Sequence, residues 1–196
     1  PARPSADQLE VTDVDALHGA DNTATRTSSV RHSTEVIHLS TLGAVIDHLT
    51  PEQRLAQAGI SLPTPLPPFG SYVPAVLHGS QLWVGGHFGT RPDGSIYTGR
   101  CGLDVTASEG REIARSAAWN LVATIRDTIG SLDRVERVLQ VNGVVNATPD
   151  FVEHTSVIDA ASDVLIEVFG DAGHHARLAV GVSSLPANLV LEIQAT

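Results

Sequence analysis

Apolar residues recur every four positions along the middle of the chain: Ile113, Ala117, Leu121, Ile125 and Ile129. That period predicts a long amphipathic helix, capped by Ser108 with Glu109 behind it and stopped by Gly130. Ala114 and Ala118 on the same side would let it lie close to a sheet. A second helix is expected after Thr148-Pro149-Asp150, its apolar side made of Val157, Ile158, Ala161, Val164, Leu165 and Val168, ending at Gly170–Gly173. Between them, residues 134–147 alternate and predict one long strand, with Val135, Leu139, Val141 and Val145 on one face. Residues 72–77 and 81–84 predict a β-hairpin around His78-Gly79-Ser80, and 177–183 and 189–195 predict two closing strands. Thr50-Pro51-Glu52-Gln53 reads as a capped helix start, with Gly59 as its stop and a proline-rich extended connector at 62–70. The order strand–strand, helix, strand, helix, strand–strand predicts an α+β fold with two helices packed on one face of a mixed sheet. The other face must be solvated or meet another subunit.

Residues 1–49 differ in character. They hold a polar run, 21–30, and no aromatic residue, and read as an extension of low order or one draped on a partner, with weak helix or strand tendency only at 36–46. Residues 50–196 form the expected domain. Twelve basic against 22 acidic residues give a net charge of −10, which argues against a protein built to neutralise phosphates or to lie on an anionic membrane. No apolar stretch approaches the ~20 residues of a membrane span, and the first residues carry no apolar core of a signal peptide. Cys101 is the one cysteine, so thiolate zinc clusters are excluded and a reducing, cytoplasmic setting is expected.

The closing strands carry the candidate chemistry. In the first, Leu178, Val180 and Val182 share one face and Arg177, Ala179, Gly181 and Ser183 the other. In the second, Leu189, Leu191 and Ile193 face the core and Glu192 points away. If the two strands pair, Arg177 and Glu192 become neighbours on the non-core face. They would then form either a structural salt bridge or a polar hollow in which Arg177 grips a substrate carboxylate through its planar fork. The second reading fails if ion pairs consume the guanidinium.

Tyr72-Val-Pro-Ala-Val76, Leu82-Trp-Val-Gly-Gly-His87, Val144-Val-Asn-Ala-Thr-Pro-Asp-Phe151 and His175-Ala-Arg-Leu-Ala-Val-Gly-Val-Ser-Ser-Leu-Pro186 together resemble the Rid/YjgF family of enamine/imine deaminases. Leu191-Glu-Ile-Gln-Ala195 fits as well, so the resemblance covers residue 50 to the end. It implies a chorismate-mutase-like fold and a homotrimer whose open sheet faces form a central barrel with clefts between subunits. It also implies hydrolysis of small 2-imino acids to 2-oxo acids and ammonia without metal or cofactor. Arg177 matches the family's carboxylate-binding arginine, Glu192 the glutamate that holds the attacking water, and Tyr72 a tyrosine of the pocket wall. Ala179 stands where many members have cysteine. Gly85-Gly86-His87 replaces a common Ser-Gly-Gln and Leu178 a common serine. Gly85 would thus remove a side chain from the cleft and His87 add a titratable one, which implies a changed substrate range or lost activity.

Other residues read more plainly. Neighbouring His174 and His175 point apart on an extended chain and make a poor chelate. Cys101 has no obvious base, and Asn142 and Asn146 read as interface hydrogen-bonders. Besides an imine deaminase, the pattern leaves open a trimer that binds a carboxylate metabolite without turnover. An endoribonuclease, a name often given to this family, is disfavoured by the charge.

Overall fold

A computed structural model of the chain describes residues 49–196, so the expected extension, apart from Leu49, lies outside the described residues. The elements are α1 (Pro51–Gln57), β1 (Ala75–His78), β2 (Gln81–His87), α2 (Ala107–Ile129), β3 (Gln140–Asn146), α3 (His154–Phe169), β4 (Ala176–Val182) and β5 (Leu191–Ala195). Thr50 and Gln53 close a capping box at the start of α1. Glu52 fastens that helix to the domain. It accepts from the Leu132 amide at 3.1 Å and pairs with Arg126 at 3.2 Å.

Three boundaries depart from the sequence reading. The cap of α2 is Thr106, not Ser108: Thr106 accepts from the Glu109 amide, and Glu109 accepts from the Thr106 amide at 2.8 Å. Three residues beyond Ser108 stands Arg111, which has no acceptor to return. The long strand shrinks to Gln140–Asn146, because Leu132–Arg134 form a single 3₁₀ turn and the Val138 amide bonds the carbonyl of Ala172 in the turn after α3. Leu139 is exposed. The second helix starts at His154 without a side-chain cap, since Thr148–Phe151 is spent on a turn that buries Phe151.

The five strands run in the order β1-β2-β5-β3-β4, with β3 and β4 parallel and the other pairs antiparallel. This corrects the expected pairing of the last two strands. Helix α3 carries the chain from β3 to a parallel neighbour, which puts β4 on the outer edge, and β5 returns between β2 and β3. α2 and α3 cover one face. Val141, Val145, Leu191 and Ile158 are completely buried there. Gly143 is the closest approach: a Cβ on it would stand 2.6 Å from the Ile158 side chain, so its absence lets α3 lie on β3. The opposite face is bare in the described residues, with Val76, Trp83 and Leu178 each about half exposed.

Candidate active site

Register decides which face each candidate uses. Arg177 stands opposite Val141 and Ala179 opposite Gly143, so both lie on the helix-covered face. A Cβ on Gly181 would strike His154 of α3, which places Gly181 there too. The apolar stripe of β4 is therefore its uncovered side, and Leu178 is exposed. Glu192 stands opposite Val144, on the bare face. Arg177 and Glu192 thus lie on opposite faces of the sheet with β3 between them, a second correction to the expected neighbour pair.

The guanidinium of Arg177 is held by α3. Its Nη1 pairs with Asp159 Oδ1 at 2.7 Å and donates to Ser162 Oγ at 3.0 Å, and the side chain is 20% exposed. Behind it, His175 Nδ1–H must donate to the Gly173 carbonyl, 2.5 Å away, because a carbonyl only accepts. His175 Nε2 then accepts from the Ser162 hydroxyl at 3.0 Å, and that hydroxyl accepts from Arg177. Burial, and to a smaller degree the nearby Arg177 charge, lowers the His175 pKa and keeps this tautomer neutral. Every contact recorded for the guanidinium runs through Nη1. Among the described residues, Nε and Nη2 have no hydrogen-bond partner, and that edge is the fork a carboxylate meets side-on.

Glu192 is half-buried and has neither ion pair nor hydrogen bond among the described residues, and burial raises its pKa. It lies in a notch made by Gly86, where a Cβ would stand 3.3 Å from Oε1. The notch comes from a shift in register between Val84 and His87. Gly85 does not line it. A Cβ on Gly85 would meet the Pro74 carbonyl at 3.3 Å, so Gly86 is the residue that opens space at the carboxylate.

His87 does not enter a cleft either. Its ring is buried under α2, where Nδ1–H donates to the Gly85 carbonyl at 2.9 Å and Nε2 accepts from Thr124 at 2.7 Å. Burial lowers its pKa, so it is a neutral core imidazole pinning the register shift rather than a titrating wall. Tyr72 is exposed, and its hydroxyl accepts from the Phe69 amide at 3.0 Å; no hydrogen bond joins it to Arg177 or Glu192. Asn146 is no interface group. Its amide donates inward to the Gly99 and Leu189 carbonyls at 3.0 and 3.2 Å. Asn142, opposite Gln194 on the bare face, accepts from Gln140 at 3.1 Å. Cys101 is fully buried and its thiol is pushed up to about 11, which leaves no thiolate for attack.

Asp159, Ser162, His175 and Gly86 complete the surroundings of the two charged residues, and sequence reasoning gave none of them a role. The i, i+3 spacing of Asp159 and Ser162, both polar on one side of a helix, was the available signal. A separate cavity of about 370 Å³, lined by Leu77, Leu82, Ile125, Ile129, Val135 and Leu139 among others, contains neither Arg177 nor Glu192. Among the described residues no three His, Cys, Asp or Glu side chains gather as a ligand group, and no helix is long and apolar enough to cross a membrane.

Comparison with known proteins agrees with this architecture. Residues 52–194 match a family model described as "YjgF/chorismate mutase-like, putative endoribonuclease". Protein TCP17 of Trypanosoma cruzi is 40% identical over 143 residues, 72% of this chain and 89% of that protein. A Shewanella oneidensis structure, whose name carries the same "putative endoribonuclease" wording, is 35% identical with a TM-score of 0.71, covering 75% of this chain and 97% of that one. The structure of Agrobacterium tumefaciens Atu1372, a protein of unknown function, is 36% identical with a TM-score of 0.67 over 74% of this chain and 90% of that one. The five-stranded mixed sheet and its covering helices thus match the YjgF/chorismate-mutase-like fold, and the chain belongs to the Rid/YjgF family.

Proposed function

We propose that this protein hydrolyses small 2-imino acids of the 2-iminopropanoate and 2-iminobutanoate type to 2-oxo acids and ammonia, at clefts between the subunits of a homotrimer. The observation that carries the reading is Arg177, four-fifths buried, with one nitrogen locked by α3 and its Nε–Nη2 edge left open on an edge strand. Arg177 and Glu192 lie on opposite faces of one sheet and can meet only if the edge of one copy approaches the bare face of another. The half-exposed Val76, Trp83 and Leu178 on that face supply the apolar surface such an assembly would bury.

In this cleft the fork of Arg177 takes the substrate carboxylate and fixes the neighbouring iminium carbon. Glu192 of another subunit accepts a hydrogen bond from water and aims it at that carbon. As the C–O bond forms, Glu192 takes one proton from the water and passes it to the nitrogen; the C–N bond then breaks as the hydroxyl proton moves to Glu192, so the carbonyl forms, and the departing ammonia takes up that proton as ammonium. An iminium is already electrophilic, so proximity and orientation supply most of the acceleration. The raised pKa of Glu192 suits a group that must both take and give a proton. The endoribonuclease wording attached to the family finds less support: among the described strand residues no Lys or Arg shares the face with Glu192, Gln194, Asn142 and Val144, and the net charge is −10.

The test is capture of freshly generated 2-iminopropanoate by semicarbazide, with and without protein. Wild type is expected to divert the imine to pyruvate. Arg177→Ala should lose about 30- to 5,000-fold in kcat/KM, in line with removal of a desolvated charge partner. Equal diversion by the variant, or none by wild type, removes the deaminase reading and leaves a carboxylate-binding protein.

A further inference from the structure

The register shift in β2 does more than open a notch at Glu192. Val84 pairs with Ala195 and His87 with Ile193, so Gly85 and Gly86 together stand opposite the single Gln194. An unbroken ladder would set His87 opposite Glu192 on the bare face. The extra residue instead turns His87 to the covered face, where it is buried, and gives Phe88 the face of Glu192. Gly89 returns to the covered face, since a Cβ on it would strike Ile113 of α2. Gly86 and Phe88 therefore flank Glu192 along β2. Phe88 is 6% exposed yet lies outside the apolar cluster beneath the helices. Phe69 stacks on it, with ring centroids 4.9 Å apart, and is itself 57% exposed. The Phe69 amide donates to the Tyr72 hydroxyl, and the Gly85 amide donates to the Pro74 carbonyl at 2.8 Å, which ties this segment to the bulge.

We propose that Phe69 and Phe88 form an apolar wall for the substrate's side chain, so that the site favours 2-imino acids with longer aliphatic side chains over the shortest one. This rests on the deaminase reading, which sets the reacting carbon beside Glu192. The side chain is bonded to that carbon, so it begins one bond from the atom the water attacks, wherever the carboxylate is anchored. Gly86 offers it no contact, and Phe88 with the stacked Phe69 offers a ring surface. Val144, opposite Glu192 on β3, adds a second apolar neighbour, whereas the polar Asn142 and Gln194 stand opposite each other farther along the sheet. Burial is the cause of the raised Glu192 pKa, as apolar surroundings require. A half-exposed ring gains most when an aliphatic chain covers it, and each methylene so buried strengthens binding about three- to fourfold.

The experiment is calorimetric titration with pyruvate, 2-oxobutanoate and 2-oxopentanoate, stable acids whose binding is read without turnover. It uses wild type, Phe69→Ala and Phe69→Leu, with the mass of each protein followed by light scattering. Wild-type affinity should rise about three- to fourfold for each carbon added. Phe69→Ala should cut that increment to below about twofold, and Phe69→Leu, which restores an apolar side chain, should recover most of it. A flat series in wild type, an increment unchanged in Phe69→Ala, or no binding of any acid overturns the proposal. So does an equal loss for all three acids with a change in mass, which would make Phe69 a subunit contact. If the increment depends on Phe69 but no imine is hydrolysed, the deaminase reading falls and the apolar wall stands. Hydrolysis without an increment has the opposite meaning.

Discussion

Leu191 and Glu192 are neighbours in β5 and belong to two different surfaces. Leu191 is completely buried beneath the helices, on a face where Gly143 accepts the Ile158 side chain and polar groups such as His87 find partners. Glu192 faces the bare side, without a partner among the described residues and with its pKa raised by burial. One face is satisfied within the chain except at Arg177, whose Nε–Nη2 edge has no partner among the described residues. The other holds half-exposed apolar residues and a charge whose desolvation nothing described offsets. The covered face accounts for stability, and the bare face, together with the open edge of Arg177, is where assembly and chemistry have something to gain.

Substitutions can test that division. The largest effect is expected from Glu192→Gln, which should lower imine hydrolysis by about 10²- to 10⁴-fold while raising the thermal midpoint at pH 7. The sign follows from the raised pKa: the folded state holds the proton more tightly than the unfolded chain, so stability falls as pH rises through the interval between the two values. The gain of the variant should therefore disappear in acid, where both forms are protonated. A variant that loses stability at pH 7 would mean that Glu192 has a structural partner. One residue away, Leu191→Ala should cost about 2–5 kcal/mol in denaturant unfolding, from the lost transfer energy and the cavity it leaves. A cost below ~1 kcal/mol would mean that the covered face is loosely packed.

On the bare face, Leu178→Asp should leave the stability of a single chain within ~0.5 kcal/mol, as for a surface change, yet reduce the mass measured by light scattering from that of the proposed trimer to that of a monomer. An unchanged trimer would put the subunit contact elsewhere. The smallest effect concerns His87. Its folded-state pKa lies below the ordinary value of 6.5, so the unfolded chain binds more protons in that range and stability should decline as pH falls below it. His87→Gln should flatten that part of the curve, with His175 retaining a share because its pKa is also lowered.

Local regularities in the sequence carried the two long helices, the hairpin and the positions of Arg177 and Glu192 on strands. A helix period, a capping residue and an alternating run are written within a few residues of the chain. Where the reading slipped by a few residues, a local competitor was at work: Thr106 with Glu109 outbid Ser108, and Thr148 went to a turn instead of a cap. What lay beyond reach was long-range. Alternation divides β4 into two faces without saying which one meets the helices, and the more apolar side, with Leu178, turned out to be bare. The parallel pairing with β3, which only the assembled sheet sets, turned Arg177 toward α3 and onto Asp159, and separated it from Glu192 by a strand. That an arginine and a glutamate sit on the two closing strands was therefore legible from the chain. Its geometry was not, because the face of a strand is fixed by the neighbours it pairs with, and these come from distant parts of the sequence.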